Sequence, residues 1–312
     1  MRTLPFPLSL VSSLRSSATL IRATAMDAAV LAGHVVLYPT GLAQERPVPA
    51  PVPRADTKAG TATGTGTGPG AEAETDPGGV SAAPPRLPGA GRGQRPVVLL
   101  HGFIDNRSVF VLLRRSLRRH GRHHVEALNY SPMTCDIRAA AELLGEHVEG
   151  LCARSGHGQV DLVGHSLGGL IARYYVQRLG GHSRVATLVT LGTPHGGTRA
   201  APLLSAHPLV RQMRPDSEVI EELRRPAPGC ATRFVSFWSD VDQVVTPIEM
   251  ACVDHPDLRS RNVRVTGIGH LALPVHPAVV QGVRMSLEET GHGAEQETAQ
   301  DPEDASGSAS VA

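Results

Sequence analysis

The sequence predicts an α/β fold with a mostly parallel sheet covered by helices on both faces. Three observations carry this. Short apolar runs alternate with segments of helical spacing from about Pro96 to Leu287. The runs are near-continuous in Val and Leu rather than alternating with polar residues, as strands buried on both faces are. A serine is framed by glycines where one such run meets the following helix, in "LVGHSLGGLIARYYV", Leu162 to Val176.

The elements follow in order. "PVVLL" (Pro96–Leu100) reads as a buried strand ending at His101-Gly102, and the next segment places Val109, Phe110, Leu113 and Leu117 on one helical face, stopped by Gly121. "VEALNY" is a strand. "DIRAAAELLGEHVEGLCARSG" carries Ile137, Leu144, Val148 and Leu151 at helical spacing, with Asp136 at the positive end of the dipole. The strand "QVDLVG" leads into the helix "LGGLIARYYVQRL", closed by Gly180-Gly181. "RVATLVTL" is a further strand. Residues 198–228 read as short helices that interrupt the alternation and form a cap insert. "RFVSFW" and "NVRVTGI" are strands, and "HPAVVQGVRMSL" is a closing helix.

Outside this domain (96–287) the composition changes. Residues 46–95 are rich in Pro, Gly, Ala and Thr and read as a flexible linker. Residues 288–312 hold seven acids and no Lys or Arg, which predicts a disordered tail. Residues 1–45 form a helical segment. It opens like a weak signal peptide, broken by two prolines and Arg15, with a cleavage-like Ala23–Ala25. The stretch Ala28–Tyr38 is too short to span a bilayer, which needs about 20 apolar residues. It is expected to lie at an interface or to dock on the domain. The compartment stays open between cytoplasm, membrane periphery and secretion.

With 312 residues, 41% hydrophobic, and a formal net charge of +1, the chain offers no electrostatic case for nucleic acid. The basic run Arg114–His124 reads as a solvated helix end, with a phosphate or anionic-membrane patch as the alternative. Cys135 and Cys152 flank one helix and would lie roughly 25 Å apart, beyond a disulfide. Cys230 and Cys252 flank one strand–loop unit and are within reach of each other. No cysteine stands at metal-ligand spacing to another cysteine or a histidine, so no metal is expected.

A G-x-S-x-G pattern is weak alone, and a helix N-cap serine is its plain alternative. Here it follows a predicted strand and opens a predicted helix, as a nucleophile elbow requires. Gly164 and Gly168 remove Cβ atoms that would collide with neighbouring backbone. Ser166 is then the nucleophile, and the Leu167 N–H points at whatever Ser166 attacks. A base and an orienting carboxylate are needed, in the order Ser, acid, His. Of the downstream histidines, His292 is in the tail, and His255 and His276 stand beside prolines. His270 stands just past the strand "NVRVTGI", on the sheet edge that carries Ser166, and is the expected base. Asp240 and Asp242 both follow "RFVSFW", and composition does not separate them. The strand ending in His101-Gly102 places the Phe103 N–H as a second oxyanion donor. His101, Gly102, His165 and His195 are assigned supporting or substrate-contacting roles.

"VVLLHGF", "LVGHSLGGLIARYY", "LVTLGTPHGGT", "SDVDQVV" and "GIGHLAL" together resemble bacterial lipases and esterases of the α/β-hydrolase fold, in particular the compact small-lipase branch. The resemblance implies that Asp242, in "DQVV", is the acid, completing a triad with Ser166 and His270. It implies Phe103 and Leu167 as backbone oxyanion donors, an acyl ester or lipid as substrate, and no cofactor. Larger members bind a structural calcium, for which no acidic cluster is evident here. "RPDSEVIEEL" resembles the helical caps of lid-bearing relatives. Peripheral contact with a lipid interface and a monomeric state are further expectations. Thioesterase, amidase or acyltransferase chemistry would use the same residues, and a non-catalytic binding module would need none of them. Aromatics make up only 3% of the chain, so aliphatic walls are expected around the acyl group.

Overall fold

In the computed structural model the described residues are 8–41, 94–130, 136–199 and 207–297. Six strands form one parallel sheet in the order β2-β1-β3-β4-β5-β6: β1 Val97–Leu100, β2 Val125–Leu128, β3 Val160–His165, β4 Val185–Leu191, β5 Arg233–Ser239 and β6 Arg259–Val265. The chain leaves β1 for β2 on one side, then returns to pair β3 on the other. That reversal opens a crevice at the C-terminal ends of β1 and β3, where open α/β sheets bind ligands.

Both faces of the sheet are dry. Val98, Leu100, Leu162, Leu188 and Phe234 point into one apolar cluster, with α3 (Ile137–Ser155) and α4 (Leu167–Arg178). Their neighbours Val97, Leu99, Val163, Val189 and Val235 point into the other, with α2 (Val111–Arg119) and α7 (Pro277–Glu297). Successive side chains alternate faces in a strand, so two covered faces demand an unbroken apolar run. Each fully buried Val or Leu here contributes roughly 1.5–3 kcal/mol.

Helix ends follow local chemistry. Asp136 caps α3 by accepting from the Ala139 N–H at 2.7 Å, and Gly156 ends it in the left-handed conformation at φ 69°. The predicted face Val109, Phe110, Leu113, Leu117 is buried, split between a 3-10 turn (Arg107–Phe110) and α2.

Three expectations need correction. The strand "NVRVTGI" starts earlier, at Arg259, because Arg233–Ser239 of β5 pairs with Arg259–Val265. Its exposed Arg259 and Arg261 guard an open edge, so the first half carries no apolar signal. "VEALNY" stops at Leu128. The closing helix does not end at Leu287 but runs to Glu297, and Glu289 receives Arg233 at 2.6 Å. Cys152, Cys230 and Cys252, whose pairing the sequence leaves open, are free thiols, with Cys152 and Cys230 buried in the core. Cys135, nearly all of the expected linker and the end of the tail lie outside the described residues.

The N-terminal segment is a single helix, α1 (Leu8–Gly41). Ala23, inside the cleavage-like triplet, is fully buried, and Met26 and Val30 pack on the α7-side cluster. The helix docks on the domain. No described helix is long and apolar enough to cross a membrane.

The cap insert holds α5 (Pro208–Gln212) and α6 (Glu218–Arg224). Val219, Ile220 and Leu223 of α6 belong to the core. Arg138 bonds Glu222 at 2.9 Å and the Tyr174 hydroxyl donates to Glu222 at 2.6 Å. Arg173 donates to the Leu223 carbonyl at 3.1 Å. This part of the insert is pinned to α3 and α4.

Candidate active site

Ser166 sits between β3 and α4 with φ 51° and ψ −119°, the one non-glycine residue with positive φ among the described residues. Such strain persists only where surroundings over-determine it. The packing supplies that constraint. A Cβ on Gly164 would lie 2.5 Å from the Gly169 backbone, and one on Gly168 would overlap the Leu100 carbonyl. Gly169 was not singled out in the sequence, yet a Cβ there would overlap the Thr193 hydroxyl. β3 and α4 therefore meet at backbone contact. Ser166 N–H donates to the Leu191 carbonyl at 2.9 Å, and the Thr193 hydroxyl donates to the Ser166 carbonyl at 3.0 Å.

Gly192, between those two anchors, has φ 55°, and a Cβ on it would stand 3.0 Å from His270 Nδ1 and 3.2 Å from Asp242 Oδ2. The Leu191–Thr193 corner is thus the hub. It holds the Ser166 backbone on one side and faces the His–Asp pair on the other.

His270 Nδ1 bonds Asp242 Oδ2 at 2.7 Å with both side chains buried. Nδ1 faces a carboxylate and so carries the hydrogen, which leaves the lone pair on Nε2. Burial would raise the Asp242 carboxyl. The charge and hydrogen bond of His270, with the Val245 and Val244 N–H groups, outweigh it and hold the carboxyl below its usual range. Those N–H groups donate to Oδ1 at 2.9 and 2.8 Å. Burial would lower His270, but Asp242, then Asp105 and Asp27, raise it above the ordinary histidine value. Asp240 goes elsewhere: it accepts from the Gly267 N–H at 3.0 Å and pairs with Arg264 at 3.0 Å.

His165 backs the base. Its Nε2 lies 3.2 Å from the His270 carbonyl and its Nδ1 lies 3.0 Å from Asp105 Oδ2, with the two histidine rings 5.0 Å apart. A Cβ on Gly102 would press on Asp105 and His165 at 2.9 and 3.1 Å. His101 stacks on Tyr130 at 4.3 Å, and its Nδ1 bonds the Gly102 carbonyl at 2.8 Å. Burial keeps it neutral, which fits packing rather than proton transfer. His195 is drawn away from the pair: its Nε2 bonds Thr190 at 2.9 Å and its carbonyl accepts from Arg173 at 3.1 Å. Burial, then the Arg173 charge, push it far below the usual histidine value, so it ties β4 to α4 as a neutral ring. Phe103 lies in the loop after β1, its ring edge-on to His207 of the insert at 5.0 Å.

Two acids were missed from the sequence. Asp105 follows "HGFI" and is buried, a position an acid holds only with a partner. Asp27 reaches the Ala272 N–H from α1, a contact across 245 residues that no local pattern announces. Among the described residues no group of three or more His, Cys, Asp or Glu is arranged to hold a metal.

The family model for palmitoyl protein thioesterase matches residues 96–248, just under half of the chain. A triacylglycerol lipase of Pseudarthrobacter phenanthrenivorans is 32% identical over 114 residues, covering 34% of this chain and 35% of the relative. One of Burkholderia plantarii is also 32% identical over 114 residues, covering 34% and 31%. The matched part spans about a third of these curated relatives. Among solved structures, Aspergillus fumigatus lipase B is similar at TM-score 0.56 and 18% identity, over 63% of this chain and 53% of that one. Mature Bacillus licheniformis lipase BlEst2 is similar at TM-score 0.53 and 16% identity, over 65% and 93%. The fold is that of the α/β-hydrolases, shared with these two lipases.

Proposed function

We propose that the chain is a serine ester hydrolase acting on acyl esters of lipid type. The observation that carries this is the Leu191–Thr193 corner, where the strained Ser166 backbone and the His270–Asp242 pair meet. His270 Nε2 takes the proton as Ser166 Oγ attacks the ester carbonyl. Asp242 keeps the imidazole in the productive tautomer and stabilises the imidazolium. The Leu167 and Phe103 N–H groups hold the oxyanion, each worth about 3 kcal/mol in the transition state. The alcohol leaves with the proton from His270, and water releases the acyl group by the same route. The reaction draws on side chains, backbone and water.

A thioester substrate is the second reading, favoured by the match to the palmitoyl protein thioesterase model. The same groups serve both, since the tetrahedral intermediates differ only in the leaving atom. Hydrolysis of chromogenic acyl esters across chain lengths, beside acyl thioesters, by wild type and Ser166→Ala separates them. Lipid-type esterase activity appears as oxyester turnover that rises with chain length and vanishes in the variant. Turnover of thioesters alone would transfer the assignment to the second reading. A folded wild type inert on both would contradict the proposal.

A further inference from the structure

The helix α1 belongs to none of the regions that define the hydrolase domain: 52 residues (42–93) separate it from the first described residue before β1, and the family match starts at 96. It nonetheless reaches both loops that bear the acid and the base. Thr19, Ala23, Met26, Asp27 and Val30 fall at i, i+4, i+7, i+8 and i+11, one helical face. Thr19 stands against Gly267, where a Cβ would lie 3.2 Å from its methyl. Thr24 accepts from Gln243 Nε2 at 2.9 Å, next to Asp242 in the chain. Asp27 Oδ1 accepts from the Ala272 N–H at 3.0 Å, and a Cβ on Gly269 would overlap the Asp27 carboxylate. The backbone on either side of His270 is thus closed down on one carboxylate.

An apolar residue would dock a helix there with less desolvation. Asp27 is instead the one acid of α1, and among the described residues no Lys or Arg pairs with it. Its two contacts, at Gly269 and at the Ala272 N–H, bracket His270 in the chain. The charged and titratable groups around that ring come from four places: Asp242 after β5, Asp105 after β1, His165 at the end of β3 and Asp27 on α1. Burial raises the Asp27 carboxyl, and the Ala272 N–H and His270 act in the opposite direction.

We infer that Asp27 is a positioning residue for His270. It fixes the Gly269–Ala272 backbone and adds a third carboxylate, after Asp242 and Asp105, near the imidazolium formed during acyl transfer, so that the N-terminal helix completes the catalytic centre. The inference rests on the role of His270 proposed above. It makes turnover depend on the docking of a segment that 52 residues (42–93) separate from the first described residue before β1.

The test uses the full chain and the variants Asp27→Asn, which keeps an acceptor oxygen but loses the charge, and Asp27→Ala, which loses both. The readouts are thermal stability, kcat and KM on a short-chain p-nitrophenyl ester, and the rate of labelling by a fluorophosphonate from pH 5 to 9. Labelling requires Ser166 and His270 but no assumed ester, so its pH profile is read even from a chain that hydrolyses none. Such a chain would contradict the proposed function alone. With Asp27→Asn the acid limb of the labelling rate moves down by about half a pH unit, since removing a negative charge lowers the histidine pKa. kcat falls about threefold with KM unchanged, and about tenfold or more for Asp27→Ala, the loss expected from a displaced base. An unmoved limb in both variants, or losses that only follow the unfolded fraction, would overturn the inference. So would a wild type that takes no label. Should Asp27→Ala fail to fold, Asp27→Asn decides.

Discussion

The turn after β3 and the loop after β6 hold the two partners of the proton transfer, and they are built in opposite ways. The first is central. β3 is buried along its whole length, and Ser166 is set by close packing, with Gly164 and Gly168 letting backbone touch backbone, Gly169 admitting Thr193, and the Leu191–Thr193 corner of the adjacent strand holding its main chain. The second follows an exposed edge strand and is held from several distant places. The Ser239 hydroxyl donates to the Ile268 carbonyl at 2.5 Å, Asp240 holds Gly267, His165 reaches the His270 carbonyl and Asp27 holds Ala272. A nucleophile can be aimed by local sterics. A base that must carry a transient charge is aimed and tuned by a set of remote polar groups, each replaceable at a different cost.

That contrast predicts graded effects around His270. Asp242→Asn, which removes the acceptor of the 2.7 Å bond, is expected to lower kcat on the order of 10⁴-fold through loss of the productive tautomer. Asp240→Asn, two residues away, should cost less than about tenfold, because it removes only a loop anchor. Steady-state kinetics on one ester measures both, and equal losses would break the distinction. Gly192→Ala comes next. Its φ of 55° and its approach to His270 Nδ1 at 3.0 Å mean that a methyl group displaces the His–Asp pair. A kcat loss of about 10²-fold is expected, with about 1–2 kcal/mol of destabilisation from the left-handed backbone.

Asp105→Asn should have the smallest effect, and it shows in the pH profile. Only the free imidazole accepts the serine proton, so the acid limb of kcat/KM follows His270, which the three facing carboxylates hold above its ordinary value. Neutralising Asp105 lowers that pKa, and the limb shifts to lower pH. Stability carries the same signature. The charged His270 is favoured in the folded state, so its contribution is full below the unfolded value of about 6.5 and fades as pH rises through the folded one. Denaturant midpoints measured across that window should decline less in Asp105→Asn than in wild type.

The same division decides what was legible in the sequence. The strands were readable because a sheet covered on both faces requires unbroken apolar runs. The Ser166 turn was readable because its glycines are contiguous with it. Asp242 was separable from Asp240 only through the family resemblance, since both stand on one loop and only pairing with His270 tells them apart. β6 was half hidden by Arg259 and Arg261, whose task at an open edge is to be charged. Asp105 and Asp27 carried no readable signal, because their partners, His165 and Ala272, lie 60 and 245 residues away. His195 was placed after β4 at the active edge in a supporting role, and its ring bonds Thr190 while its carbonyl accepts from Arg173.

The most direct test of the central claim is the site and rate of covalent labelling by a fluorophosphonate, read by intact mass and peptide mapping. A single adduct on Ser166 is expected, absent in Ser166→Ala and slowed on the order of 10⁴-fold in Asp242→Asn, the factor expected for kcat. An adduct on another residue, or labelling of Asp242→Asn at the wild-type rate, would contradict the assignment of Ser166, His270 and Asp242 as one catalytic unit.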